Sequence, residues 1–204
     1  MAIVSEIIQS RGIVRIIAEG SVAVRVRKSH FAKCPVEIGQ DIDIPSYMDR
    51  LAAVQFADGW ESALNSLDVC ARTEKDIAAA LRRRGYVEPV IQAVTQRLKE
   101  NGLIDDARFA ERMAEQQLGK PVGVYALRRK LRSKGIAEAD VEQALEAFDD
   151  DQQQAAALAA AQKLFRKYEA LPPREGKAKL SQALARRGFG WDAIAAATEQ
   201  LFED

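Results

Sequence analysis

The sequence predicts a mainly α-helical protein: tandem repeats of three-helix units in an elongated curved array, set behind a small N-terminal β module. Three observations carry that prediction. Runs of β-branched residues are confined to the first 45 positions. From Ser46 on, Ala, Leu, Glu, Lys and Arg dominate, and these are the good helix formers. One pattern, an apolar stripe running into basic residues, a glycine and an apolar residue, occurs three times, around Gly85, Gly135 and Gly188.

The β module comes first. Residues 3–8, 13–18 and 22–27 are short β-branched runs, and Val22-Ala23-Val24-Arg25-Val26-Arg27 alternates with period 2, placing Arg25 and Arg27 outward. Glu19-Gly20-Ser21 marks a hairpin, and Asp41-Ile42-Asp43-Ile44 a last short strand before Pro45. The change in composition near Pro45 predicts a module that folds apart from the helices.

The repeats follow in register. Four before each glycine stand Leu81, Leu131 and Leu184; eight before stand Ile77, Leu127 and Leu180. That spacing draws one apolar stripe on a helix. The glycine ends the helix as a left-handed C′ residue, and Tyr86, Ile136 and Phe189 follow it. A second helix carries Ile91, Val141 and Ile194, then Val94, Ala144 and Ala197, then Leu98, Phe148 and Leu201. A further helix precedes each pair, near residues 58–71, 105–118 and 152–169. The resulting division is 1–45 for the β module, 46–101 for a linking helix and repeat 1, 102–149 for repeat 2 and 150–204 for repeat 3. A repeat of this size buries little alone, so stacked neighbours share cores.

Composition narrows function. Lys+Arg and Asp+Glu both count 30 in 204 residues, which excludes a polybasic protein acting through bulk charge. Hydrophobic residues at 48% with 29% charged fit a soluble globular chain. Two cysteines make no disulfide framework, and no signal peptide or 18-residue apolar run stands out, so a cytoplasmic monomer without a membrane segment is expected. His30 is the only histidine, no phosphate-cradling glycine motif is present, and Asp105-Asp106 lack further ligands at metal spacing. No enzyme, cofactor or metal site is read from these residues.

The candidate site is basic. Arg82, Arg83 and Arg84 crowd the end of one helix, Arg128, Arg129, Lys130, Arg132 and Lys134 the next, and Arg186 and Arg187 the third. Each cation also suits a helix C-terminus, where the dipole contributes roughly 0.3–1 kcal/mol. Repetition at equivalent positions predicts a basic stripe for an acidic partner, balanced by acidic ground such as Asp149-Asp150-Asp151. Cys70 reads as a core residue, and so do Trp60 and Trp191 at these spacings, with surface anchors for a partner as the alternative for the two tryptophans.

Several linked motifs together resemble the RecX family of RecA regulators. They are Arg72-Thr73-Glu74-Lys75-Asp76-Ile77 leading to Leu81-Arg82-Arg83-Arg84-Gly85-Tyr86, Gly102-Leu103-Ile104-Asp105-Asp106 with Phe109-Ala110, Gly123 leading to Leu131 through Ile136, and Ala185-Arg186-Arg187-Gly188-Phe189. Thr73 stands for the family's usual serine and Asp76-Ile77 for its usual Glu-Leu. The resemblance implies tandem three-helix repeats, no catalysis, and binding in the groove of the RecA–DNA filament with suppression of RecA's ATP hydrolysis, strand exchange and coprotease activity. The residues alone leave two alternatives: a helical DNA-binding module acting through the basic stripe, and an adaptor for another acidic protein.

Overall fold

The computed structural model describes residues 1–202, which form two compact units, Met1–Asp105 and a second from Asp106 on. In the first, strands β1 (Ala2–Ser10), β2 (Ile13–Ala18), β3 (Ser21–Arg27) and β4 (Asp41–Ile42) make one antiparallel sheet in the order β3-β2-β1-β4. Both hairpins close with two residues, Arg11-Gly12 and Glu19-Gly20, all four at positive φ. That is the turn whose twist matches paired strands.

A four-residue helix, α1 (Lys28–Phe31), follows β3 and has no counterpart in the sequence prediction. The next helix corrects a boundary. Instead of a linking helix and a separate helix near 58–71, α2 runs unbroken through Ile44–Val69. Pro45 sits in its first turn, where a missing N–H is tolerated, and Asp43 caps it by accepting from Ser46 N. Tyr47, Leu51, Gln55, Gly59 and Ala63 recur every fourth residue as its buried row. Helices α3 (Glu74–Arg83) and α4 (Glu88–Glu100) complete the unit, with Thr73 accepting from Asp76 N at the start of α3.

The strands have no core of their own. Val4, Val14, Ile16, Val24 and Val26 belong to one buried cluster with Tyr47 and Leu51 of α2, Ile77 and Leu81 of α3, and Ile91 and Val94 of α4. The sharp change in composition near Pro45 therefore marks a change of secondary structure inside one core. Trp60 lies half-buried against this cluster with the Arg97 guanidinium 5.1 Å from its ring. Cys70, expected in the core, is exposed at the C-cap of α2.

The second unit holds two three-helix groups: α5 (Asp106–Glu115), α6 (Val124–Ser133) and α7 (Glu138–Leu145), then α8 (Asp150–Phe165), α9 (Pro173–Arg186) and α10 (Trp191–Phe202). Each keeps its own apolar cluster, around Leu127, Leu131 and Val141 in the former and around Leu180, Leu184 and Ile194 in the latter. Asp149 caps α8 by accepting from Gln152 N at 2.7 Å, a structural use for part of the acidic run.

All three glycine turns share one geometry. Gly85, Gly135 and Gly188 each have φ +84°, a left-handed conformation that favours glycine. Each glycine N–H donates to the carbonyl three residues back, and the next residue's N–H reaches back five, to Leu81, Leu131 or Leu184. This Schellman arrangement satisfies carbonyls that the helix end would orphan. The stripe residues at four and eight before the glycine are buried in every repeat, as are Tyr86, Ile136 and Phe189 after it.

Candidate functional site

The basic residues sit where the sequence placed them, at or just before the glycine turns, but they divide by what they touch. Arg82 forms a fork to Glu88, with Nε–Oε2 at 3.1 Å and Nη2–Oε1 at 2.7 Å. Arg132 makes the same fork to Glu138, including Nε–Oε2 at 2.8 Å. Both pairs bridge positions three before and three after the glycine. The Glu138 hydrogen bond and charge hold the Arg132 pKa up, and Arg132 in turn holds the Glu138 carboxyl below its usual range. Arg128 donates to Glu142 at 2.7 Å and lies 5.9 Å from the Tyr125 ring centre. Arg84 turns back onto α2, donating to Ser62 O at 3.0 Å and to Ser66 Oγ at 3.2 Å. Lys134 is half-buried at the C-cap of α6.

Four arginines differ. Arg83, Arg129, Arg186 and Arg187 are exposed, and among the described residues no acidic side chain pairs with them. Within the second unit the basic residues follow one helix. The end of α9 abuts the start of α6, where Gly123 N donates to Arg187 O at 3.2 Å and Tyr125 N to Gly188 O at 3.0 Å. Arg128 and Arg129 lie along α6, and Arg132 and Lys134 at its far end. Ten helical residues span ~15 Å, so cations line the length of α6 from Arg186 and Arg187 onward.

Repeat 3 breaks the pattern of ion pairs. Its positions three before and three after the glycine are Ala185 and Trp191. Trp191 is 76% exposed, which corrects its reading as a core residue. The equivalent positions Glu88 and Glu138 are exposed as well, so the indole stands where the other repeats place a charge. Tyr125 is also exposed, and the two aromatics line one hollow with Val124, Phe148 and Asp192. The comparison of Arg82/Glu88, Arg132/Glu138 and Ala185/Trp191 is legible in the sequence, and it is the signal that marks Trp191 as exceptional.

A separate polar cluster joins the strands to α2 and α4's approach. Asp58 Oδ2 accepts from Tyr86 Oη at 2.6 Å and from Arg27 Nη1 at 2.8 Å, and lies 3.1 Å from His30 Nε2. Burial works against the Asp58 charge, yet the Tyr86 hydrogen bond with Arg27 and His30 holds its pKa below the ordinary value. Burial lowers the His30 pKa despite Asp58 beside it, and burial followed by the bond to Asp58 raises that of Tyr86. Nearby, fully buried Gln55 donates to Gly85 O at 3.2 Å and accepts from Val87 N at 2.9 Å, clamping the first glycine turn. The Gln55 contacts satisfy buried polar groups and the Asp58 contacts hold a joint, although His30 Nδ1 is buried without a hydrogen-bond partner among the described residues. No helix among the described residues is long and apolar enough to cross a membrane.

Comparison with known proteins gives the arrangement a family. The models of the first, second and third three-helix domains of RecX match residues 60–98, 105–145 and 150–198 in that order. The chain belongs to the RecX family. Among curated RecX regulatory proteins it is 33% identical to that of Streptococcus mutans over 161 residues, covering 78% of this chain and 61% of that protein. It is 30% identical to that of Limosilactobacillus reuteri over 180 residues, covering 88% of this chain and 68% of the relative. The chain thus spans about three-fifths of the length of the first relative and two-thirds of the second. A crystal structure of a regulatory protein RecX superposes with TM-score 0.66 at 28% identity over the whole of both chains. RecX from Lactobacillus salivarius gives 0.65 at 27%, over 74% of this chain and 99% of that one. The expected RecX repeats, mainly helical with a short antiparallel strand segment in front, are what the structure holds.

Proposed function

We propose that this chain is a non-enzymatic regulator that binds in the groove of RecA–DNA filaments in the cytoplasm and lowers RecA's ATP hydrolysis, strand exchange and coprotease activity. The reading is supported above all by the three RecX domain matches in tandem. The exposed arginines supply a chemical means. Arg83, Arg129, Arg186 and Arg187 have charge to offer, whereas Arg82, Arg128 and Arg132 are already paired with glutamates. Exposed charges of this kind add association rate and salt sensitivity more than static stability.

The test is co-sedimentation with RecA filaments on single-stranded DNA, beside RecA's DNA-dependent ATP turnover. Substoichiometric protein should pellet with the filaments and slow turnover. Reversing Arg129, Arg186 and Arg187 to Glu should weaken pelleting with little change in melting temperature, because exposed charges contribute little to stability. Unchanged ATP turnover at equimolar protein would overturn the reading. The same four arginines favour one second reading, a DNA-binding module. A salt-steep affinity for naked DNA exceeding that for filaments would establish it.

A further inference from the structure

The ion pair that repeats 1 and 2 build across their glycine turns is replaced in repeat 3 by Ala185 and Trp191. The replacement gives up an exposed ion pair, which contributes little to stability, and leaves an indole 76% exposed. We infer that Trp191 and Tyr125 form the anchoring hollow of a docking surface on repeats 2 and 3, seating an apolar side chain carried on an acidic segment of a partner protein. This rests on the reading that the chain binds RecA filaments, and it names where on the chain that contact is centred.

Four features support the assignment. The hollow has a volume of about 460 Å³, room for a large side chain, and Phe148, Val124 and Ala193 supply apolar lining within a largely polar rim of Gln153, Gln154 and two aspartates. Tyr125 is held in place, its backbone N–H on Gly188 O and its ring beside Arg128, which is itself paired with Glu142. A wall fixed before binding loses little freedom on binding. Cations flank the hollow: Arg129 stands one helical turn beyond Tyr125 on α6, and Arg186 and Arg187 precede the glycine that Tyr125 touches. Exposed Trp, Tyr and Arg together are the composition of energetic centres in protein interfaces.

Charge decides between a protein and a nucleic acid as occupant. Asp150 and Asp192 line the same hollow as the two aromatics. A base stacked there would carry its phosphodiester against two carboxylates. A nucleotide holds its phosphate next to every base, whereas a partner segment can seat a neutral side chain in the hollow and carry its acidic residues several positions away, at the arginines.

The experiment compares wild type with two variants, Trp191→Ala and the double change Ala185→Arg with Trp191→Glu. The second rebuilds the pair that repeats 1 and 2 already hold, so it keeps a fold even where the first melts early. Each is measured for affinity to RecA filaments on single-stranded DNA, for affinity to naked single-stranded DNA, and for melting temperature. Both variants should lose about thirtyfold or more in filament affinity, with melting temperature and naked-DNA affinity retained. Filament binding at wild-type strength by the double variant overturns the inference and leaves the proposed function standing. A parallel loss of naked-DNA affinity overturns it in favour of a base-stacking platform. A wild-type chain that does not bind RecA filaments overturns the proposed function, and the docking assignment with it.

Discussion

The first unit gathers its apolar residues into one core, and the second divides them between two. In the first, β-branched strand residues pack against a 26-residue helix and the α3–α4 pair. In the second, each three-helix group keeps a smaller cluster, and in the last group six of eleven buried members are alanines. The contrast shows two ways to complete a repeat too small to stand alone. Repeat 1 is completed by a sheet from outside the repeat. Repeats 2 and 3 are completed by close helix packing and by a backbone joint between them.

The contrast can be broken most forcibly by removing the sheet. A chain starting at Ser46 loses Val4, Val14, Ile16, Val24, Val26, Val36 and Ile42 from the core. At roughly 1.5–3 kcal/mol per buried side chain, those seven contribute roughly 10–20 kcal/mol, as much as the 5–15 kcal/mol by which a typical domain is stable. Circular dichroism and proteolysis should show the helices of the first unit lost and those of the second retained. A truncated chain with full helix content would show that α2–α4 hold together without the strands.

A sharper comparison uses the two buried glycine turns, which share the same φ. A Cβ on Gly85 would meet Ile13 Cδ1 at 2.9 Å and Arg27 N at 3.1 Å, and the first is the movable tip of a side chain. A Cβ on Gly188 would stand 2.2 Å from Ala126 N, which is backbone. Left-handed strain costs each alanine variant roughly 1–2 kcal/mol. Gly188→Ala should therefore melt distinctly earlier than Gly85→Ala, by calorimetry. Equal losses would mean that the helix start yields as readily as an isoleucine tip.

The smallest effect concerns acid. His30 titrates lower in the folded chain than its ordinary 6.5, so the unfolded chain binds the proton first. Its contribution is fully present above the unfolded value and is lost as pH falls below about 6.5 toward the folded value. Melting temperature should fall on acidification through that window, first in the first unit, and His30→Gln should flatten the dependence. An identical pH profile in the variant would assign the loss to other groups.

Much of the fold was legible because the repeat fixes side-chain direction. Leucine four before a left-handed glycine must face inward in any copy, and Leu81, Leu131 and Leu184 all do. What escaped depends on neighbours that local pattern does not reveal. α2 continues through Gly59 because that glycine admits Val90 Cγ1 and the Tyr86 ring close to the helix, so it serves packing rather than a break. The basic clusters were legible as positions, but which arginines remain unpaired turned on glutamates six residues ahead of Arg82 and Arg132 and fourteen ahead of Arg128. Trp191 was misplaced because an indole suggests a core: its position three after the glycine is exposed in every repeat, as Glu88 and Glu138 are, and lies off the buried row Ala193, Ile194 and Ala197 of α10.

The joint between repeats 2 and 3 is made of peptide groups. Gly123 N and Tyr125 N donate to Arg187 O and Gly188 O, and a Cβ on Gly123 would fall about 2.0 Å from Gly188 C. Such a joint asks for the absence of side chains at two positions and for little else around it. The seam's geometry therefore does not depend on which side chains the exposed flanks of α6 and α10 carry, and those flanks hold Tyr125, Arg129 and Trp191 without altering the joint.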